Sequence, residues 1–194
     1  MSKVRLEAFS DGVLAIIITI MVLELRPPHE DSLHVLRALW PVGLSYVLSF
    51  IYLGVYWNNH HHLFQAVRHI DGGILWANLH LLLWLSLVPF GTAWMGETDF
   101  AATPVAAYGT VLLLCAVAYT VLVRALIREP ANAGVQEAIG RDMKGSASLG
   151  IYVVALMVAF VLPWAACALY LVVAILWIIP DRRISRTLAR SHSA

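Results

Sequence analysis

The sequence predicts an all-α integral membrane protein with six transmembrane helices, and three observations carry that prediction. Of its 194 residues, 60% are hydrophobic and only 13% charged, with a mean hydropathy of +0.77, outside the usage of soluble domains. Apolar runs recur along the whole chain, divided by charges, Gly and Pro, so no soluble domain of appreciable size fits between them. Lys and Arg, finally, crowd onto alternate connections, the cytoplasmic bias of membrane proteins.

The first helix, near 4–26, is the most informative. Only twelve uncharged residues separate Asp11 from Glu24, about 18 Å at ~1.5 Å per residue, whereas a bilayer core is about 30 Å thick. If this helix spans, some of Arg5, Asp11 and Glu24 sit near or within the membrane, where a lipid-exposed charge costs several kcal/mol. The helix must be shielded by protein or water, which suggests a pore rather than an anchor. Lys3 and Arg5 before an apolar run also imitate a signal peptide. Glu7 and Asp11 interrupt its charged region, and Leu23-Glu24-Leu25-Arg26-Pro27 offers no small-residue cleavage site, so the segment is expected to be retained.

Five further spans follow, near 34–63, 71–95, 103–127, 146–162 and 164–180, the last two joined tightly at Pro163-Trp164. The connection from Glu129 to Gly145 has turn and helix formers, and a short surface helix is predicted there; residues 181–194 form a basic tail. Eleven basic residues (Lys3, Arg5, Arg68, Arg124, Arg128, Arg141, Lys144, Arg182, Arg183, Arg186 and Arg190) fall on one side, and only Arg26 and Arg37 on the other, with Glu30, Asp31, Glu97 and Asp99. Both termini and the tail are therefore expected to be cytoplasmic.

Composition also excludes classes of function. A net charge of +1 without a basic block gives no footprint for nucleic acid. Loops this short leave no room for extramembrane catalysis, no nucleophile and base stand together, and no phosphate-cradling glycine pattern occurs. Cys115 and Cys167 lie inside predicted spans and read as packing residues. The many aromatics of spans two and three, among them Trp40, Tyr52 and Trp84, read as interface anchors and packing rather than a cofactor box. Without a repeat at half length, any central axis must come from several subunits.

On helix one, 100° per residue puts Phe9, Gly12, Ile16, Thr19, Ile20 and Leu23 on one face, with Arg5 continuing it. Periodicity alone leaves two readings open, ordinary helix packing and a pore lined by copies of this helix. In the second, aliphatic rings narrow and dewet the path, and Thr19 hydroxyls replace part of a cation's hydration shell.

Arg5-x3-Phe9-Ser10-Asp11, then Gly12-Val-x-Ala15-Ile16-x-Ile18-Thr19 and a Leu-rich end, resembles the signature of the transmembrane-protein-175 potassium-channel family. The likeness extends to Trp57-x2-His60-His61-x-Leu63-Phe64 on span two, and to Asn78-Leu-His80 with Pro89-Phe90 on span three; spans four to six agree in hydropathy and order. The resemblance implies a cation channel without the filter loop of ordinary potassium channels. It implies a homotetramer of six-helix subunits in a bacterial cytoplasmic membrane, with helix one lining a central pore. By position, Ile16 corresponds to the principal constriction, Ile20 and Leu23 to further apolar rings, and Thr19 to the hydroxyl layer linked to selectivity.

Arg5, Phe9, Ser10 and Asp11 take a structural role in that comparison, fixing helix one against spans two and three. Trp57, His60, His61, Asn78 and His80 supply donors and acceptors at similar depth, as half-buried charges require. Asn58-Asn59-His60-His61-His62 also invites a metal, but consecutive helical residues point 100° apart and no carboxylate stands at ligand spacing. Hydrogen-bonded histidines are expected instead, with no metal and no cofactor; the run leaves room for a pH sensor.

The sequence thus reads as a potassium-preferring channel, not an enzyme, with potassium, other monovalent cations or protons as permeant species and bilayer and self-association as partners. A small proton- or cation-coupled secondary transporter, using Asp11, Glu24 and the histidines as a relay, is the alternative. A non-conducting membrane scaffold is the third reading.

Overall fold

The computed structural model of the chain describes residues 2–28, 37–139 and 143–178. The expected basic tail, Glu30, Asp31 and Arg141 lie outside them. Among the described residues the architecture is helical throughout: α1 (Lys3–Leu23), α2 (Trp40–Gln65), α3 (Gly72–Leu85), α4 (Val88–Glu97), α5 (Ala102–Arg128), a 3-10 turn at Pro130–Asn132, α6 (Ala133–Ile139), α7 (Met143–Ala159) and α8 (Pro163–Ile178).

Four stretches are long and apolar enough to cross a membrane: α1, α2, the α3–α4 pair over Gly72–Glu97, and α5. The apolar helices α7 and α8 are shorter, at 17 and 16 residues. α1 closes at Leu23, its last turn tightened by bonds from the N–H of Glu24 to the Met21 carbonyl and of Leu25 to that of Val22. The Pro27-Pro28 pair then prevents continuation, because a residue before proline avoids the α region. Over 71–95 the chain makes two helices where a single one is predicted. Pro89 has no N–H to offer the Leu85 carbonyl, so the ladder passes through a turn at Ser86 and Leu87 before α4 begins.

α5 is the hub, packing against α3, α4, α7 and α8, while α2 packs on α4 and α1. Val105, Tyr108, Leu112, Cys115, Ala118, Leu122 and Leu126 run along α5 at three- and four-residue intervals and are all fully buried, the spacing of a helix face against a core. Close approach is needed at two glycines. A Cβ at Gly109 would fall 2.6 Å from Cζ of Tyr170, and one at Gly96 would fall 2.9 Å from the Val42 Cα.

Both ends of the bundle are tied across helices. At one end Phe100 lies 4.5 Å from Trp164 and 6.2 Å from Trp40, ring centre to ring centre. Asp99 and Phe100 adopt φ of 50° and 59°, an uncommon conformation for side-chain-bearing residues. It is held because Phe100 is buried in that stack and its N–H reaches the Met95 carbonyl. At the other end the Asn132 amide is buried, accepting from the N–H of Arg68 and of His69 and donating to the His69 carbonyl, at 2.8–2.9 Å. One side chain thus satisfies a loop whose backbone has no ladder to join.

Gly109→Ala is expected to lower stability by about 1–3 kcal/mol, the cost of overpacking a filled site. Gly150→Ala, where an added Cβ meets nothing within 4 Å, is expected to be neutral or slightly stabilising, because alanine favours helix. Melting of the purified proteins in detergent checks the contrast.

Candidate functional site

α1 is packed along one side only. Leu6, Ser10, Leu14, Ile17 and Met21 are buried, following the three- and four-residue rhythm of a face set against α2, α3 and α4. The opposite side is open. Phe9, Gly12, Ile16, Thr19, Ile20 and Leu23 are all exposed, Ile16 at 59% and Leu23 at 75%. These are the residues that the sequence puts on one face, and the chain leaves that apolar stripe without cover of its own.

Thr19 has a defined geometry within the stripe. Its hydroxyl donates to the Ile16 carbonyl at 2.8 Å, which commits its single proton to the helix. The oxygen lone pairs therefore face outward, suited to a positive charge.

Behind α1 a buried polar chain joins three helices. His60 Nε2 on α2 lies 2.8 Å from Asn78 Oδ1 on α3, Asn78 Nδ2 donates to Ser10 Oγ at 2.9 Å, and Ser10 Oγ donates to the Leu6 carbonyl at 2.9 Å. An amide oxygen only accepts, so His60 carries its proton on Nε2. Each of the three side chains then donates one bond, and the chain ends on a helix carbonyl. Ser10, His60 and Asn78 are all buried, and among the described residues no buried side-chain nitrogen or oxygen lacks a partner.

A second, exposed contact lies beside it, where the Trp57 indole N–H donates to Asp11 Oδ1 at 3.0 Å. Trp57 stacks on His61, 6.1 Å away and 17° from parallel, and His61 meets Gln65 at 3.0 Å. His60, His61 and His62 thus point to different surroundings, as 100° steps require. Among the described residues no three His, Cys, Asp or Glu side chains gather as a metal site.

Arg5 and His80 stand outside this network. Arg5 is exposed, and the hydrogen bonds of the network do not include it. His80 is two residues from Asn78 and so on another side of α3; its Nε2 accepts from the Trp84 indole at 2.8 Å. Phe9 joins the open stripe rather than the polar chain.

Sequence reasoning missed a second polar cluster deeper in the bundle. Thr92 on α4, Ser49 on α2 and Tyr108 on α5 join through their hydroxyls, at 2.6 Å between Thr92 and Ser49 and 2.9 Å between Ser49 and Tyr108. Nearby, the Tyr52 hydroxyl donates to the Tyr170 carbonyl, the Tyr152 hydroxyl to that of Tyr52 at 3.3 Å, and the Tyr170 hydroxyl to the Val105 carbonyl at 3.2 Å. The signal was present: tyrosines far from span ends must find partners for their hydroxyls. A small cavity of about 30 Å³ touches Tyr52 and Tyr152 and reaches Asn59, Ser148 and Trp177.

A bundle of apolar helices, one exposing an uncovered apolar stripe and held from behind by buried hydrogen bonds, defines a multi-pass membrane protein. Comparison with known proteins names its kind. Residues 5–89 match the family model described as endosomal/lysosomal potassium channel TMEM175. A potassium channel of Chryseobacterium sp. (strain P1-3) is 53% identical over 97% of this chain and 98% of its own length. Human TMEM175, described as an endosomal/lysosomal proton channel, is 33% identical over 54% of this chain and 23% of its own. The crystal structure of a lysosomal potassium-selective channel TMEM175 homolog from Chamaesiphon minutus superposes with a TM-score of 0.77 at 31% identity, covering 91% of this chain and 96% of that one. The chain belongs to the TMEM175 family.

Asn78→Leu deprives the His60 N–H of its acceptor and is expected to cost about 1–3 kcal/mol. Ser10→Ala should cost less alone and almost nothing once Asn78 is leucine. A double-mutant cycle on melting temperature tests this, since simple additivity would show that the Ser10–Asn78 bond carries no coupling.

Proposed function

We propose that this protein is a potassium-preferring cation channel whose ion path is lined by the exposed face of α1 in a homotetramer. The observation that carries the reading is the shared exposure of Phe9, Gly12, Ile16, Thr19, Ile20 and Leu23 on a helix whose other side, from Leu6 to Met21, is buried against its own subunit. Relatives named as potassium channels support the permeant ion. Charges at both ends of a short apolar run make α1 a poor lipid neighbour, so a shared axis is its natural place.

In this arrangement Ile16 forms the principal constriction, and Ile20 and Leu23 add apolar rings that resist wetting. Four Thr19 residues present outward-facing oxygens that replace part of a hydration shell. Ser10, Asp11, Trp57, His60, His61 and Asn78 hold the helix against α2 and α3. The subunit contributes six membrane segments, α3 and α4 counting as one. Both termini face the cytoplasm of a bacterium, following the distribution of Lys and Arg. Protons are a further permeant species, given the proton-channel relatives.

Ile16→Asn replaces an apolar ring by amides, and the expected result is a higher basal current or weaker discrimination among cations. Thr19→Val preserves shape and removes the hydroxyl; the potassium-over-sodium preference should fall while assembly persists. Reversal potentials in mixed potassium and sodium, measured in liposome-derived bilayers, decide it. Unchanged conductance and selectivity in both variants would remove this face from the ion path. Cysteine cross-linking between subunits through α1, but not through lipid-facing positions of α5, checks the assembly independently.

A further inference from the structure

We infer that Thr92 is a positioning residue for the far end of α1, setting from behind where Ile20 and Leu23 stand; the inference rests on the reading of α1 as the path lining. Thr92 is buried on α4 where four helices meet. Its Oγ1 lies 2.6 Å from Ser49 Oγ on α2, 2.8 Å from the Val88 carbonyl on its own helix, and 3.9 Å from Met21 Sδ on α1. Ser49 in turn lies 2.9 Å from the Tyr108 hydroxyl on α5.

Thr92 is the donor in each of its contacts. Thr92, Ser49 and Tyr108 bring one hydroxyl proton each, and no hydroxyl donates twice. Thr92 turns its one proton to Ser49 Oγ or to the Val88 carbonyl, and either of Ser49 and Tyr108 donates in the bond they share. Thr92 thus has partners on α2 and on its own helix, and Met21 rests against it.

Three features make that contact decisive for α1. Met21 belongs to the buried side of α1 and is the last buried residue before the helix ends at Leu23. The polar clamp at Ser10 lies eleven residues away, about 16 Å along the axis at ~1.5 Å per residue, too far to fix this end. α4 begins after the turn at Ser86 and Leu87, so side-chain bonds such as Thr92–Ser49 add to packing in setting its place against α2. Removing the Thr92 hydroxyl cuts its bond to Ser49 and lets Met21 shift, and Ile20 and Leu23 move with it.

The test uses the full-length channel in planar bilayers, comparing Thr92→Val, Thr92→Ser and Ile16→Asn with the unaltered protein. In Thr92→Val the Ser49 hydroxyl can turn to the Ser45 carbonyl one turn back, a bond serine commonly makes in helices, so assembly on size exclusion should be kept. Its potassium-to-sodium permeability ratio is expected to change by roughly two- to tenfold, the span of one net hydrogen bond, and Thr92→Ser should restore it. An unaltered ratio and conductance in Thr92→Val, while Ile16→Asn changes either, would overturn the positioning role and leave the path assignment standing. Failure of Ile16→Asn to change either would overturn both. Should Thr92→Val not assemble, Ser49→Ala carries the same expectations, because it cuts the α2 link while leaving the Thr92–Val88 bond within α4.

Discussion

The placement of α1 depends on the amide of Asn78. It is the one side chain that both accepts from α2, at His60, and donates to α1, at Ser10. In an apolar environment an unpaired amide or imidazole N–H is costly, so these groups admit one mutual arrangement and fix the rotation of α1 about its axis. That rotation decides which side of α1 is buried and which is bare. A turn of one residue would send Ser10 away from Asn78 and bring a different stripe outward.

The same economy recurs deeper in the bundle. Thr92, Ser49 and Tyr108 join through their hydroxyls, with a helix carbonyl also within reach of Thr92, as Ser10 reaches that of Leu6. Each cluster joins helices distant in sequence and each has contact with α1, one at Ser10 and the other at Met21. Hydrogen bonds therefore set position while the apolar residues of α5 supply the bulk of the packing. Glycines 96 and 109 allow the close approaches that this geometry needs.

Much of the fold was legible in the sequence because membrane spans announce themselves by length and hydropathy, and their ends by charge and proline. The apolar face of α1 was legible too, since 100° per residue fixes which side chains share a side. The break at Ser86 and Leu87 was less so, because a proline in an apolar run is tolerated inside some spans and divides others. Histidine 80 illustrates a further limit: it shares a segment and a depth with Asn78, yet its partner is Trp84 on its own helix.

By itself the sequence determined an all-helical membrane protein, the order of its helices and the stripe from Phe9 to Leu23. Only the tertiary structure decided that this stripe is uncovered, that Ser10, Asn78 and His60 form a single chain, and that Thr92 reaches α1 from α4. Periodicity reports which residues share a side of a helix, but not which neighbour that side meets. Hydrogen-bond partners 18 to 68 residues apart are chosen by the packing of whole helices, which no local pattern encodes.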